Sequence, residues 1–342
     1  MSFRGMITRT LLRLPDSLLV RLSGGEPMEI RGHRLDARLQ FLHHAAKSRP
    51  SMPELGVERA RAGVDQFMAS IASDPEPGVA WEGFRLSSEG RSIGARVYRP
   101  DGQDGDLPMI VFYHMGGGVI MGLETVHAFC ALLAARTKTA VLSVDYKLAP
   151  EHRFPAGLED AIAAYEWALA NAGRFGAAEG RAAVGGDSMG GLFATVVCQE
   201  MAREDKPQPV LQLLIYPATD LSEPMPSHET YGHIQHLPIE AMEWFADLYL
   251  PEGAARDNPR ISPAQTQTLE GLAPAFIYTA GFDAIRDHGT RYAQQLKGEM
   301  VRVKQTTFET LAHGFTAYMG VCPAARAACE QIAEDMAVAL RK

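Results

Sequence analysis

The sequence predicts an α/β fold: a mostly parallel sheet with helices on both faces. Three observations carry that expectation. Short unbroken apolar runs such as "MIVFY" (109–113) and "VLQLLIY" (210–216) are what strands buried on both faces look like. Helical patterns separate successive runs, as the crossovers of a parallel sheet require. The stretch "VGGDSMGGLFATVV" passes from strand to helix through a turn of small residues. The chain has 342 residues, an ordinary size for one large α/β unit.

In chain order, residues 1 to about 75 read as helical and lie outside the sheet. Ile7, Leu11, Leu14, Leu18 and Leu22 recur at helical spacing, Pro15 breaks the pattern and "SGG" stops it. From about residue 80, "WEGFRL" and "IGARVYRP" form a leading hairpin. Strands follow at "MIVFY", "TAVLSVDY" (139–146), "RAAVGG" (181–186), "VLQLLIY", "AFIYTA" (275–280) and "VRVKQTTF" (301–308). Helices fall at 123–136, 157–171, 189–204, 287–298 and about 324–340. Residues 221–250 break the alternation with a Pro/His-rich loop, "LSEPMPSHETYGHIQHLP", and the helix "IEAMEWFADLYL". This insertion and the N-terminal segment are the two candidates for a lid.

Composition narrows the class. Hydrophobic residues make up 46% and charged residues 22%, the balance of a soluble globular protein. No apolar run reaches the roughly 18 residues of a membrane span. Arg13, Pro15 and Asp16 interrupt the apolar stretch behind Arg4 and Arg9, so no export signal is read. Cys130, Cys198, Cys322 and Cys329 are scattered, which predicts neither a zinc site nor a disulfide framework and favours a reducing cytoplasm. A net charge of −8 argues against a nucleic-acid partner. Residues 1–50 nevertheless hold nine Lys/Arg against four Asp/Glu. Docking of this basic segment on the acidic body is the expectation, with contact to an anionic membrane surface as the alternative.

The chemistry centres on Ser188, in G-x-S-x-G from Gly186 to Gly190. A serine on a strained strand-to-helix turn needs neighbours without Cβ, and the helix N-terminus beneath it favours developing negative charge. The alternative is a small-residue turn that only packs helix on strand. A nucleophilic serine requires a base and an orienting acid further along the chain. Of the 11 histidines, His313 in "LAHGF" follows the end of the last strand, with Gly314 leaving room to turn. "YTAGFDAIRDHG" offers two acids: Asp283, directly after a strand, is the expected partner of His313, and Asp287 the cap of the next helix. "FYHMGGGVIMG" (112–122) places three glycines where a strand ends. Gly117 and Gly118, with the N–H of Met189, form the expected oxyanion hole. A phosphate loop is disfavoured because no Lys-Ser/Thr pair follows. A metal site on His233 and His236 ("HIQH") lacks an acidic partner, so no metal is expected there. Leu237, Met242, Trp244, Phe245 and Tyr249 on the insertion supply apolar surface for a substrate, with the helix's own core as the alternative reading.

Together these residues resemble the hormone-sensitive-lipase-like esterases, bacterial family IV of the α/β-hydrolases. "MGGGVIMG" is similar to their H-G-G-G motif, "DYKLAPEHRFPAGLED" (145–160) to D-Y-R-L-A-P-E-x-x-x-P-A, and "GGDSMGG" to G-D-S-A-G-G. "YPATD" (216–220), "GFDAIRDHG" and "AHGF" follow in the family's order. The resemblance covers about residues 80–342 and implies an α/β-hydrolase fold at 76–342, a cap insertion at about 221–250 and an N-terminal helical cap at 1–75. It implies Ser188 as nucleophile, His313 as base and Asp283 as acid, in a cofactor-independent carboxylesterase for small-molecule esters of short to medium acyl chain. Amide or lactone hydrolysis, and a catalytically silent ligand-binding homologue, are the alternatives. Pairing through the last strand and helix makes a homodimer a further implication. Two positions depart from the family. Met115 replaces the first residue of H-G-G-G, with His114 one place earlier, which bears on loop rigidity; Met115 is placed beside the substrate. Met189 replaces a small residue beside the nucleophile and is expected to alter acyl selectivity. Asp145 and Glu151 are expected to hold loops by hydrogen bonds, and Pro150 and Pro155 to fix a bend.

Overall fold

The computed structural model describes residues 3–88 and 90–341; the end residues 1, 2 and 342 of the two expected domains lie outside the described residues. The N-terminal segment forms helices α1 (Phe3–Leu12) and α2 (Asp16–Leu22), a ribbon of β1 (Glu29–Ile30) and β2 (His33–Arg34), then α3 (Ala37–Ala46), α4 (Met52–Leu55) and α5 (Val57–Ile71). Pro15 stands at the N-cap of α2, so the break predicted there separates two helices. The ribbon is too short for a periodic signal and was not foreseen.

The sheet begins with the hairpin β3 (Val79–Ser88) and β4 (Arg91–Pro100), followed by β5 (Pro108–Tyr113). Helix α6 (His127–Thr137), β6 (Val141–Asp145), α7 (Ala156–Asn171), β7 (Ala178–Asp187), α8 (Met189–Arg203) and β8 (Gln212–Ile215) continue the alternation. Two insertion helices come next, α9 (Pro226–Tyr231) and α10 (Ile239–Tyr249), then β9 (Ala275–Phe282), α11 (Arg286–Gly298), β10 (Val303–Ala312) and α12 (Pro323–Leu340). Helix α9 lies in the stretch expected to be loop, and α6 starts four residues after 123 because turns follow the glycine stretch.

The eight-stranded sheet has the order β10-β9-β8-β7-β5-β6-β4-β3. Within this sheet, among the described residues, β3–β4 and β4–β6 pair antiparallel and the remaining pairs are parallel. Every residue of β5 is buried, as its unbroken apolar run requires. Side chains of α7, α8 and α11 fill the core on one face, and those of α6 and α12 on the other.

Residues 1–50 dock on the body through apolar side chains, and among the described residues their Lys and Arg side chains form no ion pair with the body's acids. Leu12, Leu19, Leu35 and Leu39 are buried, and Asp36 N–H donates to Thr310 O at 2.9 Å. Arg38 pairs within the segment, with Asp16 and Asp36. Met6, Ile7, Leu18 and Leu22 remain exposed on α1 and α2. No helix among the described residues is long and apolar enough to cross a membrane.

Candidate active site

Strand register assembles the site. Ala312 of β10 pairs with Phe282 of β9, so the next residues, His313 and Asp283, leave neighbouring strands side by side. Asp187 ends β7 opposite Ile215, and Tyr113 ends β5 opposite Gly186. All four chain exits therefore lie at the carboxyl edge of the parallel sheet, where such folds place their chemistry.

Ser188 has φ 55° and ψ −116°, a strained conformation held by its N–H to Ile215 O at 2.9 Å and by the Ala218 N–H to its own carbonyl at 3.1 Å. The flanking glycines are required by space. A Cβ on Gly186 would stand 2.2 Å from the Gly190 carbonyl carbon, and one on Gly190 2.0 Å from Tyr113 O. His313 Nε2 lies 2.9 Å from Ser188 Oγ, and His313 Nδ1 lies 2.8 Å from Asp283 Oδ2. Asp283 Oδ1 accepts from Ile285 N–H at 2.9 Å, which fixes the carboxylate. All three side chains are buried. In this arrangement an imidazole that carries its proton on Nδ1, toward Asp283, has Nε2 free to accept a hydrogen bond from the Ser188 hydroxyl.

The second acid has a different place from the one expected. Asp287 lies in the first turn of α11, whose N-cap is Ile285, and its Oδ2 accepts from Ser227 N–H at 2.9 Å. It therefore satisfies an end of α9, a helix absent from the sequence reading, instead of capping its own.

The three glycines after β5 all have positive φ: 123° at Gly116, 63° at Gly117 and 72° at Gly118. The N–H groups of Val119 and Ile120 both close onto Gly116 O at 3.0 Å. Those of Gly117 and Gly118 have no partner among the described residues. Met189 begins α8, so its N–H has no acceptor within the helix. The loop thus leaves donors beside the serine.

These elements match known proteins. A family model described as the α/β-hydrolase fold matches residues 110–317. Carboxylic ester hydrolase LipN of Mycobacterium tuberculosis is 40% identical over 309 residues, covering 86% of this chain and 80% of LipN. The chain belongs to the α/β-hydrolase family, in its hormone-sensitive-lipase-like branch. Ethyl acetate hydrolase of Pseudomonas putida is 32% identical, covering 82% of this chain and 90% of its own. Among solved structures, the ester-hydrolase EH1AB1 from the metagenome of Lake Arreo superposes with a TM-score of 0.85 at 35% identity, over 89% of this chain and 97% of that one.

In this α/β-hydrolase a cavity of about 700 Å³ opens on Ser188 and His313. Met115, Leu237, Met242 and Phe245 line it, as does Met189. Trp244 does not: neighbours on a helix are turned by about 100°, and Trp244 packs behind Phe245, ring centroids 5.3 Å apart. Tyr249 faces the glycine loop, where a Cβ on Gly118 would come within 2.8 Å of its ring; one on Gly117 would come within 2.5 Å of Phe245. Sequence reasoning missed the opposite wall, which includes Leu42, Met52, Val64, Phe67 and Met68 of α3 to α5. The spacing of Ala60, Val64, Phe67, Met68 and Ile71 was the available signal.

Buried polar groups brace the site. His114 Nδ1–H donates to Met115 O at 2.7 Å, and Tyr146 stacks on its ring and donates to His114 O at 2.7 Å. Burial lowers its pKa to about 4, so the ring is neutral at pH 7. His114 thus braces this loop from beneath, while Met115 faces the cavity. Asp187 Oδ2 accepts from Tyr216 at 2.9 Å and Thr316 at 2.8 Å, and desolvation raises its pKa to about 6. His236 engages both ring nitrogens, with Leu39 O at 3.0 Å and Tyr318 OH at 3.2 Å, so it has no nitrogen to spare for a metal. No group of three metal-ligating side chains occurs among the described residues. Asp145 makes no side-chain hydrogen bond among the described residues and packs on the Gly94 backbone; its expected loop-holding role belongs to buried Asp160, which takes Arg91, Lys147 N–H and the Lys147 ammonium. The peptide bonds before Pro150 and Pro155 are cis.

Proposed function

We propose that this α/β-hydrolase is a serine carboxylesterase acting on small-molecule esters of short to medium acyl chain. The observation that carries the reading is the continuous chain from Ser188 through His313 to Asp283, at 2.9 and 2.8 Å, beside glycine N–H groups that have no partner among the described residues. His313 Nε2 takes the Ser188 proton as Oγ attacks the ester carbonyl. The N–H groups of Gly117, Gly118 and Met189 receive the negative charge on the carbonyl oxygen. The tetrahedral species expels the alcohol, which leaves with the proton from His313. Water then attacks the acyl-enzyme with His313 as base, and the acid departs as Ser188 regains its proton.

We read α3 to α5 and the α9–α10 insertion as one cap over the cavity. Met52, Val64 and Phe67 on one side and Met242 and Phe245 on the other give the hydrocarbon part of the ester an apolar channel. Four free, buried cysteines support a reducing cytoplasmic setting. The β10 edge of the sheet is the surface we assign to a homodimer.

Hydrolysis of p-nitrophenyl esters from acetate to palmitate tests the function, with Ser188→Ala as control. The expectation is a maximum between butanoate and octanoate and a loss of at least about 10³ in kcat in the variant. Activity that survives Ser188→Ala overturns the reading.

A further inference from the structure

Arg61 belongs to α5, in the part of the chain that carries none of the motifs above, yet its guanidinium reaches the glycine loop. Nε donates to Val119 O at 2.8 Å and Nη2 to Ala149 O at 2.7 Å. Nη1 and Nη2 also hold Glu151 in a two-pronged pair at 2.6 and 2.8 Å. Ala149 N–H in turn donates to Gly118 O at 2.8 Å. Arg61 thus joins two segments already bonded to each other, 118–119 and 149–151, and one of them carries an oxyanion donor. The side chain is 26% exposed and Glu151 is 55% exposed, so the ion pair itself is worth little. The two carbonyl bonds are the specific feature, and only a planar fork of donors makes both at once.

We infer that Arg61 is a positioning residue for the reaction: from the N-terminal segment it fixes the loop that presents the Gly117 and Gly118 N–H groups to the oxyanion. The inference rests on the esterase reading. Its physical basis is that donors stabilise a transition state only when held in place before charge develops. A loop of three successive glycines has little rigidity of its own. Lateral bonds on Val119 and Ala149 supply it, so helix α5 is part of the catalytic apparatus as well as a wall of the cavity.

The test compares the full-length protein with Arg61→Ala, Arg61→Lys and Glu151→Gln. Active sites are titrated with a fluorophosphonate, so kcat is counted per reactive Ser188. A trifluoromethyl ketone, whose adduct carries the oxyanion, reports transition-state affinity. In Arg61→Ala, kcat falls by about 10- to 100-fold and the ketone's inhibition constant rises by a similar factor, with KM within about threefold. Glu151→Gln stays within about threefold throughout, because both carbonyl bonds remain. Should the alanine variant not fold, Arg61→Lys decides: it keeps at most one carbonyl bond and shows the same paired change, by at least about fivefold. A folded Arg61 variant with unchanged kcat per titrated site and unchanged ketone affinity overturns the inference, even if its Tm is lower. Wild-type turnover and its loss in Ser188→Ala report on the esterase reading separately, and an inert wild type overturns both.

Discussion

Gly117 and Gly118 answer two demands at once. Positive φ excludes most side chains, and the rings of Phe245 and Tyr249 occupy the space a Cβ would need. Gly117→Ala is therefore expected to lower kcat by about 10²-fold or more through the displaced N–H. Adding Phe245→Ala removes the collision and recovers part of the lost stability, leaving the φ penalty of about 1 kcal/mol; chemical denaturation of both variants measures this. The two nearby acids are separated by the same kind of argument. Asp283→Asn should cost about 10⁴ in kcat by inverting the tautomer preference of His313. Asp287→Ala should leave kcat within a fewfold and cost about 1 kcal/mol, the worth of one hydrogen bond to α9. Equal losses in the two variants would refute the assignment of the acid.

Helices α9 and α10 show how an insertion outside the sheet becomes part of the site. Ser227 of α9 donates its N–H to Asp287 and its hydroxyl to Ala284 O at 2.7 Å, and His228 Nε2 lies 3.1 Å from His288 Nε2. These contacts join α9 to the start of α11. Helix α10 turns Met242 and Phe245 toward the cavity and, one turn on from Phe245, Tyr249 toward the glycine loop. Shortening Met242 to Ala enlarges the cavity without touching the loop. The expected outcome is a chain-length optimum moved to longer p-nitrophenyl esters, with the acetate rate within about threefold, since a few methylenes in an apolar pocket are worth only about 1–3 kcal/mol. An unchanged profile would place the acyl chain elsewhere.

On the scale of the whole molecule, buried histidines make the fold acid-sensitive. Desolvation lowers His43, His114 and His236 to about 4 and His288 to about 3. The unfolded chain binds protons on these groups near 6.5 while the folded protein does not, so their contribution is full above that value and is lost as pH falls toward 4. Asp187 acts in the opposite sense. Raised to about 6, it contributes stability present below about 4 and lost as pH rises through 6, which offsets only part of the histidine effect. Urea midpoints are expected to fall steadily from pH 7 to pH 5, and His288→Gln to flatten that slope. A midpoint that rises over this range would contradict the assignment of neutral buried histidines.

Local sequence was sufficient where the physics is local. Unbroken apolar runs specify buried parallel strands, glycines mark turns that tolerate no Cβ, and Ser188, Asp283 and His313 each follow a strand end, which a sheet whose carboxyl edge gathers them brings together. The family resemblance drew on the same short motifs. Tertiary structure alone decided what depends on segments far apart in the chain: Arg61 on Val119, Phe245 and Tyr249 over the glycine loop, Asp287 on α9, Trp244 turned away from the cavity and α5 as its wall. In each case the partners are brought together by packing of helices onto the sheet edge, and neither residue carries a local signal of the other. Periodicity states which face of a helix is apolar; only the folded chain states what that face meets.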